Sequence, residues 1–359
     1  MDRSRFDGWE SFMDCSGLAV VAGPCSAESR EQVLRTAEAL GKAGISLFRA
    51  GVWKPRTRPG NFEGAGDSAL PWLAEARAVT GMKVGTEVAS GKHVEAVLGA
   101  GLDFVWIGAR TVTNPFLVQE IADSLKGADI PVFIKNPVNP DLELWAGAIE
   151  RIRHSGIGRI AAVHRGVTSY SRIIYRNDPH WQMAIALRLR FPALPMFCDP
   201  SHIAGDRKYV GEIAAKAMDL DFDGLFIESH IEPREALSDA AQQLTPDDLS
   251  SLLLSIKPKE NRYAGSPYRE SIDQLRAKID EIDDSLVSLL AERMETSGKI
   301  GSYKRRGSIP ILQGSRWDAV LERVVKQAEA YGLDTGFVTD VFNRIHRASI
   351  ERQEHCGDD

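Results

Sequence analysis

Thiol, imidazole, carboxylate and cationic side chains follow one apolar run after another through the first 255 residues of this sequence. In chain order they are Cys25, then Arg49 with Lys54 and Arg56, then Glu87, Arg110, Lys135, His164 with Arg165, Asp199 with His202, and Glu228. Five or more cations gathered at one place repel each other unless an anion of comparable charge lies between them, and guanidinium forks match phosphate and carboxylate oxygens. Such a set suits a substrate carrying one or two phosphates. Cys25, His202, Glu228 and Asp239 supply a thiol, an imidazole and two carboxylates, which fits a borderline divalent ion with an open position. Each alone could be an ordinary buried thiol or a satisfied histidine; their shared place at the ends of apolar runs favours a site.

Eight short apolar runs position these groups: Leu18–Ala22, Leu47–Ala50, Lys83–Glu87, Phe104–Ile107, Val132–Ile134, Ile160–Val163, Met196–Cys198 and Gly224–Ile227. They alternate with stretches of helical spacing such as Glu31–Ala43 and Asp141–Arg153, the pattern of an α/β chain with a parallel sheet and helical crossovers. Eight repeats in about 240 residues is the size of a (β/α)₈ (TIM) barrel, whose functional side chains sit at the C-terminal ends of the strands. The alternative is an open doubly wound sheet. The first turn, AGPCSAES, is no G-x-G-x-x-G fingerprint, and the glycines of GNFEGAGD do not follow a strand as that fold requires.

At 359 residues and 43% hydrophobic, the chain can bury a sizeable core. Forty-four Lys and Arg against fifty Asp and Glu, with no block of like charge, argue against nucleic-acid or polybasic membrane binding and leave small molecules as ligands. The charged start MDRSRFDGWE and the lack of any apolar run near 18 residues point to the cytoplasm. Cys15, Cys25, Cys198 and Cys356 form no CxxC pair, which fits a reducing compartment. The segment KPKENRYAGSP reads as a linker, so the expected domains are a barrel over 1–256, a linker over 257–268 and a second domain over 269–359. Only about 17 residues precede the first run, too few for a small regulatory domain there.

The second domain reads as all helical. Ile272, Leu275, Ile279, Ile282, Leu286 and Leu289 recur at three and four residues, predicting a helix to about Arg306, with two more near Ser315–Tyr331 and Asp334–Gln353. A first helix roughly 55 Å long outreaches so small a domain and calls for a second copy to cover it. Arg293 interrupts its apolar stripe and Lys304 lies three turns on along nearly the same face, so a ligand anion is implied; Ser349 and Gln353 continue the inward face of the last helix. The competing view is that these helix ends are simply hydrated.

The motifs GPCSAES, FRAGVWKPRT, IGART, IKNP, HRG, DPSH, IESH and ALSDAAQQL, in this order over residues 18–255, resemble the type I 3-deoxy-D-arabino-heptulosonate 7-phosphate (DAHP) synthases, beta subgroup. The resemblance implies condensation of phosphoenolpyruvate with erythrose 4-phosphate in aromatic amino-acid synthesis. It places the divalent metal, Mn²⁺ by preference with Co²⁺, Fe²⁺ or Zn²⁺ as alternatives, on Cys25, His202, Glu228 and Asp239. It places phosphoenolpyruvate on Arg49, Lys54, Arg110, Lys135 and Arg165, with Arg56 and Thr57 toward erythrose 4-phosphate. Lys54 is the expected proton donor to the aldehyde oxygen, and His164 and Asp199 are expected near the site by strand position. Strand-end lysines also suit a Schiff-base aldolase using Lys135 or Lys54, which would have no use for the metal set. The related synthase that takes arabinose 5-phosphate reads closer to KANRS where this chain has KPRT.

Residues 270–355 resemble the all-helical chorismate mutases through LRAKID, LLAERM, GSYK and the last helix. That resemblance implies an intertwined homodimer and assigns Arg276, reaching from the other subunit, with Arg293, Lys304, Gln313, Arg316, Ser349 and Gln353 to chorismate. Lys304 and Gln353 would donate to the ether oxygen during rearrangement to prephenate, a reaction needing no cofactor. Two positions depart from the family pattern: Gln313 replaces an acid, and Trp317 replaces a Glu that contacts the substrate hydroxyl. A fused domain binding a downstream metabolite suggests feedback inhibition of the barrel by prephenate or chorismate; a domain that only dimerises and senses is the alternative.

Overall fold

Eight parallel strands form where the apolar runs lie: β1 (Ala19–Gly23), β2 (Leu47–Arg49), β3 (Lys83–Val88), β4 (Phe104–Ile107), β5 (Val132–Lys135), β6 (Ile160–His164), β7 (Met196–Cys198) and β8 (Gly224–Glu228). Each pairs with its sequence neighbours, and β1 closes on β8 in register from Ala19 opposite Gly224 to Gly23 opposite Glu228, giving a closed barrel without an edge. The structure is a computed structural model describing residues 8–13, 18–54, 60–169, 174–256 and 269–354. The chain forms two units, Met1–Asn261 and Arg262–Asp359; the expected linker lies outside the described residues.

Side chains alternate along each strand between the bore and the surrounding helices. Val21, Leu47, Phe104, Trp106, Phe133, Val163, Phe197 and Phe226 pack in the bore, while Ala22, Phe48, Val84, Ile107, Ile134, Ala162, Met196 and Ile227 pack outward. Aromatic edges meet faces across the bore, Phe133 with Phe197 at 5.2 Å and Trp106 with Phe226 at 5.4 Å. Gly85 on β3 leaves the space that the Phe104 ring occupies, since a Cβ there would overlap it. The few residues before β1 do more than lead in. Trp9, Phe12 and Met13, on and beside the short helix Glu10–Met13, plug the N-terminal end of the bore, with Trp9 against Phe133 at 5.3 Å and Phe12 against Phe104 at 6.0 Å.

The same alternation aims Glu87, Lys135 and Glu228 at the ends of β3, β5 and β8, Arg165 and Asp199 just after β6 and β7, and Cys25 two residues after β1 inward at the C-terminal mouth. Outer helices start where polar caps bond their first free N–H groups, as Ser29 does for Gln32, Asp141 for Leu144 and Thr245 for Asp248.

In the second unit, helices run over Arg269–Arg306, Gly314–Ala330 and Thr335–Glu354, within a few residues of the periodicity. The first, 38 residues, is about 57 Å long. The unit's buried core is small: Val324, Ala328 and Val338, with Leu321 and Phe342 against them. Leu275, Ile279, Ile282, Leu286 and Leu289 stay 49% to 66% exposed, so one chain does not cover the stripe its own sequence carries. Among the described residues no helix is long and apolar enough to cross a membrane.

Candidate functional site

Lys54, Glu87, Arg110, Lys135, Arg165, Arg176, His202 and Asp239 line one cavity at the barrel mouth, about 570 Å³ including its open part. Gly108 after β4 admits the Glu87 carboxylate, which a Cβ would displace. Arg165 is aimed by its surroundings: its backbone N–H donates to Asn136 Oδ1 at 2.7 Å and its Nη1 to Asn177 Oδ1 at 3.1 Å. Burial pulls its guanidinium down to about 10, still a cation at neutral pH. Lys135 Nζ donates to Asp199 Oδ2 at 2.7 Å, both buried. Burial opposes ionisation of Asp199, but His202 and Lys135 outweigh it and hold the carboxyl well below its usual range. Lys54 Nζ donates to the Cys25 carbonyl at 3.0 Å and lies 3.9 Å from Glu87. Burial works against its charge, but the carboxylates Glu87 and Glu228 help to prevail over it and raise its basicity.

Beside this cavity Cys25, Glu228 and Asp239 bring one ligand atom each to within 4.8 Å of one another. Cys25 Sγ donates to Asp239 Oδ2 at 3.4 Å. His202 Nε2 stands 3.7 Å from Glu228 and 4.0 Å from Asp239, while its Nδ1 lies 2.8 Å from Asp199 Oδ2, the outer contact typical of a ligating histidine. Asp239 adopts a left-handed backbone, φ 49°, that turns it toward the group. Burial and Glu228 push the Cys25 thiol up to about 12, so without a cation it stays protonated. Two carboxylates, a thiol and an imidazole converging in a buried place fit a divalent ion, which would balance the carboxylates and favour the thiolate.

Not every sequence-derived candidate joins the cavity. Arg49 points into the bore one layer deeper, fully buried, with its guanidinium 4.8 Å from the Trp106 ring centre and 4.9 Å from that of Phe226. It reaches Glu228 Oε1 at 3.3 Å and does not line the cavity. His164, expected near the site, faces outward because Val163 before it faces in; its ring sits among Trp145, Trp181 and Phe222 and donates to the Pro179 carbonyl. Strand position alone misplaces it, and parity along the strand corrects it. Arg56 and Thr57 lie outside the described residues. Two further participants went unread in the sequence. Arg176 lines the cavity, and Gln242 donates to Glu228 Oε2 at 2.7 Å. Gln242 falls three residues after Asp239, which was the available signal; nothing local marks Arg176.

In the helical unit Arg293 Nη1 donates to the Ser349 hydroxyl, and Gln353 Nε2 reaches Ser297 at 3.5 Å while its buried Oε1 has no hydrogen-bond partner among the described residues. Lys304 Nζ donates to the Ile311 carbonyl at 2.6 Å. Gln313 stands before the second helix without capping it, and Arg316 and Arg276 are exposed. Trp317 stacks on His346 at 3.9 Å, with rings 9° apart, a pair the sequence reading did not anticipate. Burial, then Arg293 and Lys304, keep His346 less basic than an ordinary imidazole.

Residues 14–262 match the model of the DAHP synthetase I family, more than half of the chain. The chain belongs to the DAHP synthetase I family. Residues 275–354 match chorismate mutase type II, so this family member carries a DAHP synthase domain and a chorismate mutase domain, two activities of the shikimate pathway. Phospho-2-dehydro-3-deoxyheptonate aldolase of Thermotoga maritima is 33% identical over 240 residues, 67% of this chain and 69% of the relative. The solved structure of DAHP synthase from Thermotoga maritima shares 32% identity at a TM-score of 0.60, covering 66% of this chain and 67% of that one. A 2-dehydro-3-deoxyphosphooctonate aldolase of Rhodopseudomonas palustris is 26% identical over 260 residues, 67% of this chain and 86% of the relative. The substrates implied by the two domains are phosphoenolpyruvate, erythrose 4-phosphate and chorismate, and DAHP synthases are generally dependent on a divalent metal.

Proposed function

We propose that Arg110, Lys135, Arg165 and Lys54 hold phosphoenolpyruvate at the barrel mouth, with Arg56 and Thr57 on the erythrose 4-phosphate side. The carrying observation is that four cations from different strands line one cavity beside a cluster of side chains with the donor atoms to hold a metal. Contacts to phosphate and carboxylate turn C3 of phosphoenolpyruvate toward the aldehyde carbon. Lys54 gives the aldehyde oxygen its proton as the carbon–carbon bond forms, and water added at C2 is followed by loss of phosphate through C–O cleavage. Arg49 acts from below, on Glu228, rather than as a clamp on substrate. Cys25, His202, Glu228 and Asp239 would hold the divalent ion, Mn²⁺ in our reading with Co²⁺, Fe²⁺ and Zn²⁺ as alternatives. Once bound it supplies a Lewis acid for the aldehyde oxygen.

In the helical unit Arg293, Lys304, Gln313, Arg316, Ser349 and Gln353 hold chorismate, joined by Arg276 of a second chain in a homodimer. The exposed stripe from Leu275 to Leu289 supports that pairing. Prephenate bound among these groups slows the barrel, and the enzyme works in the cytoplasm, where Cys25 stays out of disulfides and available as a ligand. The decisive experiment strips the protein with a chelator and measures phosphoenolpyruvate consumption with erythrose 4-phosphate and with arabinose 5-phosphate, before and after Mn²⁺ is restored. Restored turnover with the four-carbon sugar alone is expected. Turnover that survives chelation, or borohydride trapping of a sugar phosphate on Lys135 or Lys54, would replace this reading with a Schiff-base one. Inhibition by prephenate that persists in Lys304→Ala would remove the feedback site from this unit.

A further inference from the structure

One guanidinium at the barrel mouth belongs to no role assigned so far. Arg176 Nη1 donates to Asp239 Oδ1 at 3.0 Å and to Gln242 Oε1 at 2.8 Å. Gln242 in turn donates from Nε2 to Glu228 Oε2 at 2.7 Å. Arg176 thus reaches both carboxylates of the metal-binding group, Asp239 directly and Glu228 through the Gln242 amide. The amide cannot reverse without losing both bonds, because its oxygen faces a donor and its nitrogen an acceptor. The Arg176 side chain is 44% exposed, lines the cavity with Arg110 and Arg165, and makes no other hydrogen bond among the described residues. Its Nε and Nη2 are therefore open to a ligand in the same cavity.

We propose that Arg176 is a positioning residue for Asp239 and Glu228 and, through its open edge, a binding residue for a phosphate oxygen of the substrate. This rests on the metal site proposed above and adds a residue to it. The sign of the effect on metal affinity separates positioning from charge alone. A bystander cation repels a divalent ion, so its removal tightens metal binding. A group that orients ligating carboxylates weakens metal binding when lost, by roughly 10- to 100-fold in comparable outer contacts. Gln242 holds one nitrogen of Arg176 as well as Glu228 but does not itself line the cavity, and Arg176 keeps its bond to Asp239 without it, so its loss should largely spare the anion.

The test uses the full chain and two probes, Mn²⁺ followed by electron paramagnetic resonance of the free ion and inorganic phosphate followed by calorimetry on the Mn²⁺-loaded protein. Arg176→Gln is expected to weaken Mn²⁺ by roughly 10-fold or more and to weaken phosphate as well. Gln242→Ala should weaken Mn²⁺ by a similar factor and leave phosphate within about twofold, since that side chain does not reach the cavity. Arg176→Lys, which keeps the charge but not the fork, should recover part of the phosphate affinity and little of the Mn²⁺ affinity, and it also guards against an unfolded Gln variant. Unchanged or tighter Mn²⁺ binding in folded Arg176→Gln, or unchanged phosphate binding, overturns the proposal. Failure of the unaltered protein to bind Mn²⁺ would instead overturn the metal site itself.

Discussion

His164 offers a quantitative check on how the barrel wall is built. Burial among Trp145, Trp181 and Phe222 lowers its imidazole from an ordinary 6.5 to about 4. Between those values the unfolded chain binds a proton that the folded chain does not, so stability rises with pH across the window and is lost as pH falls through it. With these two values, moving from pH 7.5 to pH 5 costs about 2 kcal/mol at this one residue, and the full 2.5-unit difference is worth about 3 kcal/mol. Urea unfolding of wild type and His164→Gln at both pH values isolates the contribution, because every other titrating group is common to the pair. Tryptophan fluorescence is a suitable probe, since six of the seven tryptophans lie in the barrel and two flank His164. Wild type should lose about 2 kcal/mol more than the variant on acidification. Equal losses would refute the buried neutral imidazole, as would an NMR titration of His164 with a midpoint above 6.

Three further outcomes follow from the same geometry. Lys54→Gln should lower kcat of the condensation by about 10² to 10⁴ in steady-state assays, the range for loss of a general acid, and an unchanged kcat would exclude Lys54 as the proton donor. Leu286→Lys places a charge on the exposed stripe and should convert the proposed dimer to monomers in sedimentation velocity, with prephenate formation falling as the proposed reach of Arg276 into a neighbouring site is lost. Trp9→Ala removes the plug against Phe133 and should cost about 3–5 kcal/mol in urea unfolding; a shift below 1 kcal/mol would mean the bore closes without it.

Order and periodicity along the chain determined a great deal here. Eight apolar runs separated by helical spacing favour a closed parallel barrel, and the polar residues at or shortly after the C-terminal end of each run then come to its mouth. Cys25, Lys135, Arg165, Asp199, His202 and Glu228 were therefore legible one by one. The two-residue alternation was legible too, and would have turned His164 outward; Arg49 was harder, because parity gives the direction of a side chain but not its depth. Tertiary structure alone decided which distant groups share an oxygen or an amide. Arg176 meets Asp239 and Gln242 across 63 and 66 positions, and Lys135 meets Asp199 across 64. Those pairings depend on how far each strand is staggered around the barrel, a property of the closed sheet that no local window contains. The same holds at the N-terminus, where a helix too short to show periodicity is held by the aromatic floor it covers.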